Sequence, residues 1–177
     1  MSFLLTNGRL KILLSKLLAS YIYSASLVIF CAFWSLGIGS LVLGTGDLIV
    51  IDNGILVINE SEAWLRMFLS FSLAIIVMCM VSTLCFMFSS MVNNGIGPII
   101  GAMFLIIVGY IIIAIPLDFF TKIEPYVFVS YFNIWLDAFK DPIPWVVILK
   151  KLSVLITYSL IFFGISAYVF INKDIKS

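Results

Sequence analysis

Four uncharged apolar runs, Leu17–Leu43, Met67–Val92, Ile96–Ile115 and Leu152–Ile171, constrain this chain more than anything else in it. Each reaches the ~20 residues that carry an α-helix across a hydrocarbon core of ~30 Å. Peptide groups inside lipid have no water to bond, so such runs are helices unless a closed barrel forms. A barrel would need alternating polarity along each strand, and these runs have none. Only 11% of the 177 residues are charged, against roughly 25% in a soluble domain. The first run has 27 residues, too long for the apolar core of a cleavable signal, and no small-residue cleavage pattern closes it. The sequence therefore predicts an all-α polytopic membrane bundle, one domain over residues 1–177. Residues 17–171 hold the four spans, with loops 44–66 and 116–151 outside, and 172–177 form a tail.

The flanks give an orientation. Arg9, Lys11 and Lys16 precede the first run with no acid among them, and Lys173 and Lys176 follow the last run. Loop 44–63 carries Asp47, Asp52, Glu60 and Glu62 and no base. An excess of Lys and Arg marks the cytoplasmic side, so both termini are expected in the cytoplasm of a cell-membrane protein. Lys150 and Lys151 resist this scheme, because they fall at the outer edge of the last span. An extra crossing would move them inside, but the only uncharged stretch available, Tyr126–Leu136, is too short to span as an α-helix. Its aromatic content predicts an outer interfacial or re-entrant helix instead. Asn93-Asn94-Gly95 predicts a tight link between the second and third spans, with Pro98 in a first helical turn. Gly97, Gly101 and Gly109 share one face of the third span, and Ser20/Ser24, Ser35/Gly39 and Ser40/Gly44 repeat a small-residue spacing in the first. Such positions let helices approach closely, within one chain or between two.

Several kinds of chemistry lack their residues. With a net charge of +1 and no histidine, the chain has no basic patch for nucleic acid and lacks the commonest neutral metal ligand. Cys31, Cys79 and Cys85 sit in apolar runs without a CxxC pair and read as small buried hydrophobes. No phosphate-binding loop, nucleophile elbow or zinc-protease motif occurs, so no catalytic residue, metal site or cofactor is expected in this chain. The four runs contain no ionisable side chain, which disfavours proton-coupled transport. Arg66, next to Trp64, reads as an interfacial anchor, and Asp118 as a solvated residue.

The start of the chain is different in kind. If residues 10–18 are helical, Leu10, Leu13, Leu14 and Leu17 form one apolar stripe, with Arg9, Lys11, Ser15 and Lys16 around the other side and Ile12 out of place. Such a helix can lie on anionic lipid or dock on a soluble partner.

Two stretches carry a family resemblance. Phe3-Leu4-Leu5-Thr6-Asn7-Gly8-Arg9-Leu10-Lys11-Ile12-Leu13-Leu14-Ser15-Lys16 resembles the cytoplasmic coupling segment of ABC-2 type transporter permeases, and Phe170-Ile171-Asn172-Lys173-Asp174-Ile175 resembles their C-terminal ending. The order of span, outer loop, helical hairpin, outer helix and last span is similar to the family plan. The resemblance implies a coupling segment over residues 1–16, in which Leu5, Asn7, Arg9, Lys11, Leu14 and Lys16 contact a cytoplasmic ATPase. It further implies a tail motif at Phe170, Lys173 and Asp174, a second permease chain as partner, ATP and Mg held by the ATPase, and export driven from there. Family members usually carry six spans, two of them ahead of the coupling segment. By resemblance those two are expected from another chain or from a longer form of this one.

Overall fold

The computed structural model describes residues 2–51, 55–92, 95–115 and 123–172, with backbone alone for residues 2–10, 43 and 172. Four helices dominate: α1 (Ser2–Leu43), α2 (Glu60–Met91), α3 (Gly97–Ala114) and α4 (Trp145–Asn172). All four are long and apolar enough to cross a membrane, and the chain is a multi-pass membrane protein. Two short strands, β1 (Leu48–Ile51) and β2 (Ile55–Ile58), form an antiparallel hairpin in what the sequence presents only as a loop. Their register pairs Leu48 with Ile58 and Ile51 with Ile55. The hairpin stands at one end of the bundle, here the hairpin end. The α2–α3 link stands at the opposite, turn end, where Pro98 occupies the first turn of α3.

Gly44 closes α1 with φ +81°, its N–H donating to the Ser40 carbonyl at 3.1 Å, a left-handed cap that suits glycine. The Ser40/Gly44 pair thus ends a helix and does not pack one. Three acids that follow, Asp47, Glu60 and Glu62, serve the start of α2. The Asp47 carboxylate accepts the Glu60 N–H at 3.1 Å, and Glu60 and Glu62 lie in the first turn, where negative charge meets the positive end of the helix dipole.

The expected coupling helix and first span are a single α-helix without a break. Tyr21 hydrogen-bonds Thr83 at 2.7 Å and Ser24 bonds Ser82 at 2.6 Å, fixing α1 antiparallel to α2. With residue 21 level with residue 83, Leu43 comes level with the start of α2, and Leu13 with its end. Residues 2–12 then extend about 16 Å past α2 at 1.5 Å per residue. Leu13 and Leu17 are buried within the chain. Half of the predicted apolar stripe is thereby committed to the bundle, while Ile12 and Leu14 remain exposed.

The outer helix expected over 126–136 is present as a 3-10 helix, Phe128–Phe139, preceded by a 3-10 turn at Glu124–Tyr126. It does not lie flat at the surface. Phe128 packs its ring on Tyr158 and Phe162 of α4, with centroids 5.8 Å apart in both cases, and Asp137 meets Lys151 of the same helix. From Lys151 to Phe162 is about 16 Å of α-helix, and from Asp137 to Phe128 about 18 Å of 3-10 helix, so the segment runs antiparallel to α4 and penetrates the bundle. Its three-residue turn sorts the side chains. Val129, Phe132 and Ala138 are buried on one face, on which Trp135 alone is exposed, and Ile134 and Asp137 are buried on the next, while Asn133 and Leu136 on the third are exposed. Leu73, Val77 and Met80 of α2 and Ile148 and Leu155 of α4 complete this core.

The three glycines of α3 each meet a neighbour within the chain. A Cβ on Gly97 would stand 2.7 Å from Val92, one on Gly101 2.9 Å from Phe88 of α2, and one on Gly109 2.6 Å from Val129 of the 3-10 segment. Gly37 and Gly39 of α1 have nothing within 4 Å of such an atom.

Gly109→Ala should therefore destabilise the chain relative to Gly39→Ala. Both gain helix propensity, but only the first overpacks, at a cost of about 1–3 kcal/mol. Thermal unfolding in detergent micelles measures the difference.

Candidate functional site

The 3-10 segment carries the densest polar construction among the described residues. A backbone that is not α-helical at membrane depth must find its hydrogen bonds in the protein. Three hydroxyls supply them at the start, on the surface of the chain: Ser130 donates to the Glu124 carbonyl at 2.8 Å, Tyr131 to Pro125 at 2.7 Å and Tyr158 of α4 to Tyr126. Three successive carbonyls are satisfied in this way. Removing one donor leaves an acceptor short, so Tyr158→Phe should cost about 1–3 kcal/mol, seen as a lower unfolding temperature.

At the other end of the segment, Asp137 is 2% exposed. Its Oδ1 accepts Lys140 Nζ at 2.7 Å, and its Oδ2 accepts Lys151 Nζ. Arg66 of α2, also buried, donates to the Lys140 carbonyl at 2.9 Å and to the Asp141 carboxylate at 3.1 Å, with Glu62 3.6 Å away. The ionic group therefore ties α2, the 3-10 segment and α4 together. Arg66 is a buried clamp, more than the interfacial anchor its sequence context suggests. Lys151, awkward at this end of a span, is neutralised by Asp137. Burial works against the Asp137 carboxylate, but the hydrogen bonds and charges of Lys140 and Lys151 outweigh it and hold its pKa below the ordinary carboxylate value. The sequence signals for this group are the i, i+3 spacing of Asp137 and Lys140 and the misplaced Lys151. Neither names the partner across the fold.

This ionic group forms one wall of a cleft of about 1160 Å3. The hairpin faces it with Leu48, Val50 and Leu56, and the exposed stripe of the 3-10 segment with Asn133 and Leu136. A smaller cleft of about 470 Å3 lies between α1 and α2 near the turn end, lined by Ser20, Ser82, Cys85 and Ser89 among others.

The residues singled out by resemblance lie elsewhere. Leu5, Asn7 and Arg9 fall on the extended start of α1, where the backbone alone is described. Lys11, Leu14 and Lys16 are exposed on the same helix. Phe170 is half-buried near the end of α4, and Lys173 and Asp174 lie outside the described residues, as do Asn93, Asn94 and Asp118. The coupling candidates and Phe170 thus belong to the turn end, and the ionic group and larger cleft to the hairpin end. Among the described residues no group of three or more His, Cys, Asp or Glu side chains could hold a metal ion. Comparison with family models, curated proteins and solved structures finds no match for the chain.

Asp137→Asn should destabilise the fold by about 2–3 kcal/mol at neutral pH, because two lysines lose their charged acceptor. A carboxylate with a depressed folded pKa contributes stability above its unfolded value, near 3.9 for Asp, and loses it as pH falls through the folded value. The wild type should therefore lose stability as pH drops below about 4, and Asp137→Asn should show less of that loss. Unfolding temperature against pH for both proteins tests the sign.

Proposed function

We propose that this chain is a permease subunit of an ATP-binding-cassette transporter of the ABC-2 type, working in export with a separate cytoplasmic ATPase and a second permease chain. In this reading the turn end faces the cytoplasm of the cell, and the hairpin end faces outward. ATP and Mg belong to the ATPase. The chain itself catalyses no reaction and contributes membrane helices and the handle that moves them.

The observation that carries the proposal is the continuity of α1 from its basic start to the hairpin end. A force applied at Arg9, Lys11 or Lys16 has no hinge in which to dissipate. It displaces the span itself, and through the Tyr21–Thr83 and Ser24–Ser82 bonds it reaches α2. The contact surface also suits a protein partner. Leu13 and Leu17 are committed to the bundle, so the exposed side combines Lys11 and Lys16 with Ile12 and Leu14. A helix lying flat on lipid, the rival use of such a stripe, would turn its leucines to the membrane. Transport then consists of a shift between two packings of the spans, driven by the partner.

Co-purification with its ATPase and nucleotide-driven transport in proteoliposomes test this. Arg9→Glu with Lys11→Glu should lower ATPase association. Ala19→Pro, which removes a hydrogen bond and kinks the helix between handle and span, should preserve association and membrane insertion and abolish transport. Absence of any associated ATPase, with salt-sensitive binding of the chain's basic segment to anionic vesicles, would favour a non-transporting membrane scaffold instead.

A further inference from the structure

We propose that the large cleft at the hairpin end binds one molecule of a zwitterionic, amine-bearing phospholipid. Its phosphate would lie toward Lys140 and Lys151, its ammonium on Asp141, and its upper acyl chain between the hairpin and the 3-10 segment. This site does not depend on coupling to an ATPase.

Level is the first argument. Arg66 and Lys151 stand where the uncharged stretches of α2 and α4 begin, and Trp64, Trp135 and Trp145, all substantially exposed, surround the same end. Tryptophans with such placement mark the headgroup layer. Charged side chains that line this cleft therefore sit where lipid headgroups do.

Shape and polarity give the second argument. The cleft's volume, about 1160 Å3, exceeds the roughly 300–1,000 Å3 of an ordinary small-ligand pocket and suits an elongated amphiphile. Leu48, Val50 and Leu56 make one apolar wall, and Leu136, Phe139 and Pro144 extend the other. Inorganic phosphate or a free amine would leave these walls wet.

Charge selects the headgroup. The lining holds Asp137 and Asp141 against Lys140 and Lys151, two of each sign. A net anionic head would gain from the lysines and lose to the aspartates, whereas a head with both charges meets a complement for each. Asp137 is sealed between its lysines, but Asp141, with a side chain 53% exposed and Oδ1 accepting from Arg66, presents its other carboxylate oxygen at the rim. A primary ammonium can donate hydrogen bonds to that carboxylate. A quaternary one cannot, and it would call for an aromatic cage, where this cleft offers Phe139 alone.

The full chain can be reconstituted in nanodiscs containing equimolar phosphatidylethanolamine and phosphatidylglycerol with matched acyl chains, then released into detergent. Native mass spectrometry reads the lipid retained. The wild type should keep one phosphatidylethanolamine in preference to phosphatidylglycerol. Asp141→Asn should reduce that preference about tenfold, the effect of one charge-assisted hydrogen bond. Leu56→Trp, which fills the cleft, should remove both lipids. Glu62→Gln weakens the surroundings of Arg66 without touching the cleft and should change nothing. Equal retention of the two lipids by the wild type, meaning an unselective lipid annulus only, overturns the proposal. So does an equal loss in Glu62→Gln and Asp141→Asn, which would trace the effect to Arg66. Should Leu56→Trp fail to fold, Asp141→Asn still decides, because the amide oxygen can keep accepting from Arg66 while the carboxylate charge is lost.

Discussion

A peptide carbonyl buried in hydrocarbon without a donor costs several kcal/mol, and this constraint governs the unusual half of the molecule. The long α-helices need little help, since each satisfies its own backbone along most of its length, and Gly44 caps the first. The 3-10 segment does need help, because of the three carbonyls in the turn by which it enters the bundle only that of Glu124 takes a backbone N–H, that of Val127 at 3.0 Å, among the bonds at its start. Ser130, Tyr131 and Tyr158 answer those carbonyls in sequence. Gly109 then lets the segment approach α3 closely enough to exclude lipid. At the rim, Arg66 captures the Lys140 carbonyl as the helix ends. Hydroxyls, glycine and arginine are different residue types with one shared effect, which is to keep a non-α backbone paired.

The charged group at the rim follows from the same placement. Lys151 lies on a helix that must enter the membrane, and Asp137 on a segment that must leave it, so the two meet at the boundary. Neither is favourable alone: burial penalises a carboxylate without cations, and an apolar span penalises a lysine at its edge. Together they fix the register of the 3-10 segment on α4, because a shift of one residue would separate Asp137 from Lys151 and Phe128 from Phe162 simultaneously.

Much of the architecture is legible in the sequence because it depends on composition. Long uncharged runs leave a helix no alternative in lipid, and the four spans appear near their expected positions. The 3-10 segment is partly hidden by an assumption about rise. Tyr126–Leu136, counted at 1.5 Å per residue, is about 16 Å long and looks superficial. At 2.0 Å per residue the twelve residues of Phe128–Phe139 cover about 24 Å and reach well into the bundle. The stripe at Leu13 and Leu17 is visible, but periodicity cannot say whether a face meets lipid, a partner or its own chain. The ionic group is least legible. Arg66 and Asp137 are 71 residues apart, and sequence context reads Arg66 only as an interfacial anchor and gives Asp137 no role. The three glycines of α3 are legible as a shared face, whereas their neighbours, a turn, a helix and the 3-10 segment, depend on tertiary packing.

The pairings also bear on orientation. A bare sequence count of Lys and Arg gives five in the flanks of each side: Arg9, Lys11, Lys16, Lys173 and Lys176 against Arg66, Lys122, Lys140, Lys150 and Lys151. The expected orientation rests instead on the acid-free N-terminal flank and the base-free loop 44–63. At the hairpin end, however, Arg66, Lys140 and Lys151 are each held by a carboxylate. Along α1, by contrast, no Asp or Glu lies among residues 2–43. What the charge bias opposes is moving uncompensated positive charge away from the cytoplasm. Pairing with carboxylates therefore removes three of the five cations that stand against the proposed cytoplasmic placement of the turn end. In the proposed orientation, the ionic group that locks the 3-10 segment would thus also reconcile Lys151 of α4 with a hairpin end on the outer side.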